Sequence, residues 1–279
     1  MFTAAEFTGI VLVASLLAGF IGSLTGLGGG IIVTPVLTIF LRVDIRYAIG
    51  ASLISVIATS SGAAAAYVRD GYSNIRIGMF LEIATTLGAL FGAFLGGHIP
   101  TAGLGVIFGL ILLQSAWQAS RIPKSHTSHG APDPLAERLR LNGAYEADGE
   151  ERHYVVRRVK TGFVTMFGAG TLSGLLGIGS GSLKVIAMDQ AMGMPFKVST
   201  ATSNFMIGVT AAASASIYLS RGYVDPSIVM PVMLGVLCGS MIGAKFLPRL
   251  PALVLRRVFA VLVGLVGIQM IVNGLGGRI

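Results

Sequence analysis

The chain has 279 residues, of which 53% are hydrophobic and only 11% are charged, and its mean hydropathy is +0.80. Soluble domains carry about 25% charged residues, so this chain has too few charges to cover a water-facing surface and is predicted to be an integral membrane protein. The formal net charge of +8 does not indicate a nucleic-acid partner, because the basic residues lie in short loops between apolar segments, where they set membrane orientation. A disulfide within the chain is excluded, since Cys238 is the single cysteine.

The first apolar region, Phe7–Leu41, is interrupted by the run Gly26-Leu27-Gly28-Gly29-Gly30. It lacks a basic region at its start, so it is not predicted to be a cleavable signal peptide. An apolar region broken in this way is predicted to form a helical hairpin that enters and leaves the membrane on one side. Three uninterrupted apolar segments follow, each long enough for a bilayer span, which takes about 20 residues: Ile49–Val68, Ile77–Gly97 and Ala102–Ser120.

Residues 121–160 differ from their surroundings, since they hold three prolines and many charges. They are predicted to be an extramembrane link between the two apolar halves. Arg138–Asn142 and His153–Arg157 alternate polar and apolar residues on either side of Asp148-Gly149, a pattern typical of a β-hairpin. A linker without regular structure is the alternative, and the sequence leaves both open.

The second half repeats the first at a constant offset of 151 positions. It begins with the apolar region Thr161–Met194, which is interrupted by Gly177-Ile178-Gly179-Ser180-Gly181. At this offset Gly26, Gly28 and Gly30 coincide with Gly177, Gly179 and Gly181, as do Tyr72 with Tyr223 and Pro100 with Pro251. Three further apolar segments complete the second half: Ser199–Leu219, Ser227–Leu247 and Leu253–Asn273.

Each half thus contains one hairpin, which makes no net crossing, and three spans. Because three is odd, the second half must be inverted relative to the first. The predicted fold is an all-α integral membrane protein of two inverted-topology repeats, each a broken or re-entrant hairpin plus three transmembrane helices, in residues 1–120 and 161–279. With the link at 121–160 in the cytoplasm, 16 of the 20 basic residues lie inside. The positive-inside rule therefore predicts a protein of the cytoplasmic membrane with both termini outside.

Inverted repeats with paired breaks are typical of secondary transporters, whose substrate site lies near the membrane midplane. A helix that begins inside the membrane presents unpaired N–H groups and the positive end of its dipole, which favour an anion. Close helix packing is the alternative role for these glycines. The residues predicted to bind substrate at the two breaks are Thr25, Gly28, Gly29, Gly30, Thr34, Gly179, Ser180, Gly181 and Ser182.

The span after each break carries hydroxyl groups on one helical face. Ser52, Ser55 and Thr59 share a face in the first half, as do Ser199, Ser203 and Thr210 in the second, where Asn204 is adjacent. Such side chains either line a substrate path or hydrogen-bond carbonyls of their own helix and join neighbouring helices. On the interpretation that these side chains line a substrate path, the candidate site also includes Ser52, Ser203 and Asn204.

Glu82 and Lys184 are ionisable residues placed inside or next to apolar segments, where a charge is a functional hypothesis by default. Lys184 is predicted to attract an anionic substrate, with extension to the cytoplasmic surface as the alternative. Glu82 is a candidate for coupling to protons, with a position at the interface as the alternative. No nucleophile–base pair, metal-ligand cluster or cofactor motif is evident, since the glycine run follows no strand. We therefore predict neither an enzyme nor a bound cofactor or metal.

Two pairs of sequence runs resemble the repeat motifs of the sulfite exporter TauE/SafE family. They are the runs from Gly22 to Pro35 and Ala48 to Leu53 in the first half, and Gly174 to Gly181 and Ser199 to Asn204 in the second. The resemblance covers nearly the whole chain and implies transport of a small sulfur-containing anion, such as sulfite, thiosulfate or the sulfonate sulfoacetate. A passive anion channel, or a transporter of another small oxyanion or carboxylate, is the alternative. The expected partners are the anion and the lipid bilayer, and both a monomer and a homo-oligomer stay open.

Overall fold

The computed structural model describes residues 4–25, 30–69, 73–120, 133–147, 150–179, 181–246 and 252–277. In these residues the protein is all-helical apart from one small hairpin, with eleven α-helices and two strands. All six uninterrupted apolar segments form helices, so the prediction of helical segments is confirmed.

The first half begins with a long helix, α1 (Ala4–Thr25). The next described helix is the short α2 (Gly30–Pro35), which continues as a π-helical segment, π1 (Val36–Phe40). Three long helices follow: α3 (Ile45–Arg69), α4 (Ile75–Gly96) and α5 (Thr101–Ser120). The glycines between α1 and α2, residues 26–29, lie outside the described residues, so the predicted interruption of the first apolar region stays a prediction.

The link between the halves holds a short helix, α6 (Pro134–Arg138), and an antiparallel hairpin of β1 (Gly143–Ala147) and β2 (Glu150–Tyr154). The hairpin flanks Asp148-Gly149, as the sequence predicts, but the predicted strands at 138–142 and 153–157 are wrong. The alternation there comes from core residues on irregular backbone, since Leu141 and Val156 are buried. Arg140 has a φ of 51°, which a strand does not allow.

The second half has the same order of elements. The helix α7 (Val159–Leu176) is followed by the short α8 (Gly181–Ile186), the π-helical segment π2 (Ala187–Ala191), and the long helices α9 (Phe196–Ser220), α10 (Pro226–Phe246) and α11 (Ala252–Leu275). Both ends of α3 and α9 lie 151 positions apart, and so do both ends of π1 and π2. The repeat found in the sequence is therefore also present in the order and bounds of these helical elements.

Among the described residues, the main contacts between the two halves are made by six pairs of long helices: α1 with α10, α4 with α7, α5 with α11, α3 with α9, α4 with α9, and α3 with α10. Glycines allow the close approach of these helices. A Cβ atom on Gly92 of α4 would collide with the carbonyl oxygen of Thr171 on α7, and one on Gly239 of α10 would collide with that of Leu16 on α1. Small residues at such positions are a general feature of helix packing in membranes.

The outer face of α4 shows what surrounds the protein. Met79, Ile83, Leu87 and Phe91 recur every four residues along this helix and are 62%, 57%, 54% and 49% exposed. A continuous apolar stripe of this kind suits contact with lipid.

Among the described residues, two helical stretches are long and apolar enough to cross a membrane, Ile75–Gly96 and Thr101–Gln118. Shorter apolar helical stretches are Glu6–Ile21, Gly30–Phe40, Ile45–Ser60, Pro226–Ile242 and Ala260–Leu275. Two spanning helices are weak evidence by themselves, because a buried helix of a soluble protein passes the same test. The membrane assignment therefore draws on the composition and on the relatives described below.

Asn74 anchors the start of α4 to the link. Its side chain accepts a hydrogen bond from the backbone of Ile77 at 3.1 Å and donates to the hydroxyl of Tyr154 at 2.7 Å. Burial raises the pKa of Tyr154 above its ordinary value, and the hydrogen bond from Asn74 partly offsets this. The hairpin is therefore a fixed part of the fold, which excludes the alternative of an unstructured linker for its described residues.

Candidate functional site

The second interruption ends α7 through glycine conformations. Gly177 and Gly179 both have a φ of 68°, in the left-handed region that side chains with a Cβ atom disfavour. The amide of Gly177 donates to the carbonyl of Ser173 at 2.8 Å, which terminates the helix. Helical structure then resumes at Gly181.

The two interruptions are in contact, and Ser52 on α3 connects them. Its hydroxyl lies 3.1 Å from the carbonyl oxygen of Gly30, the first residue of α2, and 2.8 Å from the carbonyl oxygen of Gly177. A Cβ atom on Gly30 would lie 3.2 Å from the same Gly177 oxygen. Two segments that are far apart in the chain thus meet at one buried point.

The second half repeats part of this arrangement. Ser203 on α9 donates to the carbonyl of Gly181 at 3.1 Å, as Ser52 does to Gly30. A Cβ atom on Gly30 would meet Val56 of α3, whereas one on Gly181 would meet Ile207 of α9. Each short helix therefore packs against the long helix that follows it, through a serine and an aliphatic residue at corresponding positions.

Some buried hydroxyl groups lack a hydrogen-bond partner among the described residues, and two of them are close in sequence to the breaks. They include the Oγ1 atom of Thr34, on α2, and the Oγ atoms of Ser173 and Ser199. Leaving such a group unpaired is costly. The carbonyl of Gly30, the usual acceptor for a threonine four residues later in a helix, is contacted by Ser52. A hydroxyl in this state is available to a ligand.

Lys184 belongs to a buried polar chain. It is fully buried on α8, and its ammonium group donates to the hydroxyl of Thr210 on α9. That hydroxyl lies 2.7 Å from Oε1 of Glu82 on α4, which also accepts a hydrogen bond from Thr86 at 3.1 Å. Both charged side chains are buried within the protein, Lys184 at 0% and Glu82 at 8% exposure. Their predicted roles toward an anion and a proton stay predictions.

The hydroxyl groups on the faces of α3 and α9 form two sets: some bond only carbonyls of their own helix, and others contact neighbouring elements. Ser55 and Thr59 donate to carbonyls of their own helix, those of Ser52 and Ser55, as hydroxyls in helices commonly do. By contrast, Ser203 bonds across to α8, and Thr210 contacts Glu82 on α4 as well as the carbonyl of Met206 on its own helix. Asn204 is half-buried beside Ser203.

Several predicted site residues lie outside the described part of the chain: Gly28, Gly29 and Ser180, together with the side chains of Thr25 and Ser182. The prediction for them stays untested. The sequence places Thr210 on the hydroxyl face of α9 without selecting it for the substrate site, and it does not single out Ser173, although both are part of the arrangement. Thr210 follows Ser203 by seven residues on the same face, and this spacing is the signal by which it is identifiable. Ser173 lies one turn before Gly177, with no distinguishing pattern around it.

Within the described ranges, no three His, Cys, Asp or Glu side chains form a group able to hold a metal ion. The breaks instead gather glycines, hydroxyls and one lysine. This combination suits an anion, because it offers hydrogen-bond donors and a positive charge.

Comparison with known proteins identifies the class. The chain is 27% identical over 273 residues to the probable membrane transporter protein YunE of Bacillus subtilis (strain 168), covering 95% of this chain and 98% of that protein. It is 25% identical to the probable membrane transporter protein YdhB of the same strain, covering 94% and 99%. A probable membrane transporter protein of Xylella fastidiosa (strain 9a5c) is 29% identical, with 91% of each chain covered. All three relatives are named as probable membrane transporter proteins, and each is similar to this chain over nearly its whole length.

The family follows from a second comparison. Residues 11–270 match the family described as sulfite exporter TauE/SafE, and the chain belongs to this family. The resemblance noted from the glycine runs is therefore confirmed. No solved structure matches the chain.

Proposed function

We propose that this protein is a secondary transporter that moves a small sulfur-containing anion, either sulfite or an organosulfonate such as sulfoacetate, across the cytoplasmic membrane. The contact between the two chain interruptions through Ser52 carries the proposal. Two helical segments, Gly30–Phe40 and Gly181–Ala191, begin beside this contact. The start of a helix attracts negative charge, and two starts at one buried point make an anion site.

The chemistry of nearby side chains supports an anionic substrate. Thr34 and Ser173 have buried hydroxyls without a partner among the described residues. Lys184 supplies a fully buried positive charge one turn into α8. A sulfite or sulfonate group has three oxygens that accept hydrogen bonds, so several donors around one point can hold it.

The proposed architecture is a pair of inverted repeats. The equal offset of the helices, and the equivalent serine contacts at Gly30 and Gly181, support a duplication. Three spans in each half require opposite orientations, and the distribution of basic residues favours a cytoplasmic link with both termini outside. In this arrangement the site lies between the repeats, where alternating access operates in transporters of this kind.

The experiment that tests the site is substitution of Thr34 by valine. Because its hydroxyl has no partner among the described residues, a purely structural role predicts unchanged or greater thermal stability without ligand. A binding role predicts a loss of anion affinity of about tenfold, since one hydrogen bond to a charged group is removed. Thr38→Val is the matched control, because Thr38 is buried in the same helical segment and bonds the carbonyl of Thr34 at 2.9 Å.

Thermal-shift titration of the purified protein with sulfite, sulfoacetate and isethionate gives the affinities, since a ligand that binds the folded state raises its stability. Proteoliposome flux with the same anions then separates a transporter from a channel. Counterflow and saturation identify a carrier, whereas flux that is linear in anion concentration identifies a passive channel. Equal anion affinity of wild type and Thr34→Val would remove Thr34 from the site, and no shift with any anion would contradict the proposed substrate class.

A further inference from the structure

The buried chain of Lys184, Thr210 and Glu82 breaks the equivalence of the two halves. The positions that correspond to Glu82 and Lys184 at the offset of 151 are Met233 and Val33. Thr210 corresponds to Thr59. Both bond carbonyls of their own helix, and Thr210 also contacts Lys184 and Glu82. One half of the molecule therefore carries a positive and a negative charge where the other carries apolar side chains. Only one of the two equivalent places carries this pair of charges, whereas the helix packing is common to both. The pair therefore has a role other than helix packing.

The carboxylate of Glu82 is only partly satisfied. Its Oε1 accepts hydrogen bonds from Thr210 and Thr86, but its Oε2 is buried and has no partner among the described residues. A buried ionised carboxylate is stable when its oxygens are bonded or paired, and Oε2 is neither. A proton added at Oε2 removes the negative charge without displacing either existing hydrogen bond.

Other described titratable side chains on the elements that pack against α4 and α8 lie elsewhere. They are Lys160 at the second residue of α7, Asp189 in π2, and Tyr218 near the end of α9, where it donates to the carbonyl of Leu175. The side chain of Lys197 on α9 lies outside the described part of the chain. Lys184 is the charged group that the hydrogen-bond chain connects to Glu82. The charge state of Glu82 therefore depends mainly on that of Lys184, and the charge state of Lys184 depends mainly on that of Glu82.

We propose that Glu82 is the proton site of this transporter and that Thr210 connects it to Lys184, so that one proton and one anion are loaded together. The inference rests on the proposed function, because it takes Lys184 as the positive charge that faces the anion. It adds the identity of the coupled ion and the stoichiometry of transport.

The reason is the balance of charge in a buried site. Without ligand, ionised Glu82 neutralises the ammonium of Lys184. When Glu82 takes a proton from water at Oε2, Lys184 becomes an uncompensated buried charge, which is costly until an anion binds. With the proton and the anion both present, the site is neutral again. Loading one without the other leaves a net charge, so each favours the other by thermodynamic linkage.

Two consequences follow for transport. The empty and the doubly loaded forms are both neutral, so both can change their access between the two sides of the membrane without moving charge across it. Net movement of a monovalent anion is then electroneutral, and it is driven by a pH gradient rather than by the membrane potential.

The experiment uses the full chain in proteoliposomes, with isethionate as the probe because this sulfonate carries one fixed negative charge and does not titrate near neutral pH. The membrane potential is clamped at zero, and the outside is made more acidic than the inside. Wild type is expected to accumulate isethionate, with one proton entering per anion as reported by a trapped pH dye. Replacing the pH gradient by a membrane potential alone is expected to give no accumulation.

Glu82→Gln imitates the protonated carboxyl group and is expected to separate two activities. Its loaded form is still neutral, so exchange of internal for external isethionate is retained within about threefold. Its empty form keeps the unpaired charge of Lys184, so accumulation driven by the pH gradient falls at least about tenfold. Glu137→Gln, the same chemical change at an exposed residue of α6, is the control and is expected to behave as wild type.

The outcomes are distinguishable. Accumulation by wild type that follows voltage and ignores the pH gradient overturns the inference, whether or not Glu82→Gln folds. Unchanged accumulation by a folded Glu82→Gln variant overturns it as well. If wild type exchanges none of isethionate, sulfite and sulfoacetate, the proposed function fails and the inference fails with it.

Discussion

Ser52 and Ser203 occupy corresponding positions in the two halves, and each donates its hydroxyl to the carbonyl of the glycine that begins a short helix, at 3.1 Å in both cases. Ser52 alone makes a second contact, to Gly177 of the opposite interruption at 2.8 Å. The contact that each serine makes with the first glycine of a short helix holds that helix against the long helix that follows it. The additional contact links the two breaks, so Ser52 contributes more to the site than its counterpart.

We therefore expect Ser52→Ala to be more harmful than Ser203→Ala. Ser52→Ala leaves two buried carbonyl oxygens without this donor and should lower the free energy of unfolding by about 1–3 kcal/mol. It should also weaken anion binding, because the relative position of the two breaks is no longer held. Thermal denaturation with and without sulfite measures both effects. Ser55→Ala is the control, since Ser55 bonds only its own helix, and equal behaviour of all three variants would contradict the bridging role.

Substitution of Gly177 or Gly179 by alanine tests the backbone of the second break. Both have a φ of 68°, where a Cβ atom costs about 1–2 kcal/mol. A Cβ atom on Gly177 would also lie 2.9 Å from the carbonyl oxygen of Ile49. Gly222→Ala is the matched control, because Gly222 has a φ of 74° with open space around it. We expect all three variants to lose stability, and only those at the break to lose anion transport in proteoliposomes.

The interface between α4 and α7 should be sensitive to any increase in side-chain size. Gly92→Val places side-chain atoms against the backbone of Thr171, and overpacking of this kind costs about 1–3 kcal/mol or more. Gly168→Val on α7 is the control, since nothing lies within 4 Å of a Cβ atom there. The measurement is the midpoint of thermal aggregation in detergent. A Gly92 variant as stable as the Gly168 variant would contradict the close approach of these helices.

Tyr154 predicts a dependence of stability on pH in the alkaline range. Its pKa is raised above the ordinary value of 10.0 because the phenol is buried. A raised pKa in the folded state means that this stabilisation is fully present below about pH 10 and is lost as the pH rises through the folded value. Tyr154→Phe removes the hydrogen bond from Asn74 and should cost about 1 kcal/mol at neutral pH.

The comparison of wild type with Tyr154→Phe across the alkaline range is decisive. Below the ordinary tyrosine pKa, wild type should have the higher melting temperature. Above it, the difference should narrow and then reverse, because phenylalanine does not ionise. A constant difference at every pH would show that the phenol stays exposed in the folded protein.

The sequence by itself determined the membrane class, the positions of the long helices, the second interruption and the offset between the halves. These are local properties: hydropathy and glycine content act within one segment, and a duplication is recorded in the order of residues. The three long helices of each half lie within four residues of the segments predicted for them. The hairpin strands were misplaced because Leu141 and Val156, which gave the alternation, pack in a core on irregular backbone.

Only the tertiary structure decided which polar groups meet. Ser52 and Gly177 are 125 positions apart, and Thr210 and Glu82 are 128 apart. Nothing in a helical pattern specifies a partner at such a distance, since the face of a helix fixes a direction and not what lies there. Packing of the two halves also separated Ser55 and Thr59, which bond their own helix, from Ser52, Ser203 and Thr210, which bond other elements. The physical reason is that a hydroxyl takes whichever acceptor the packed helices bring within reach.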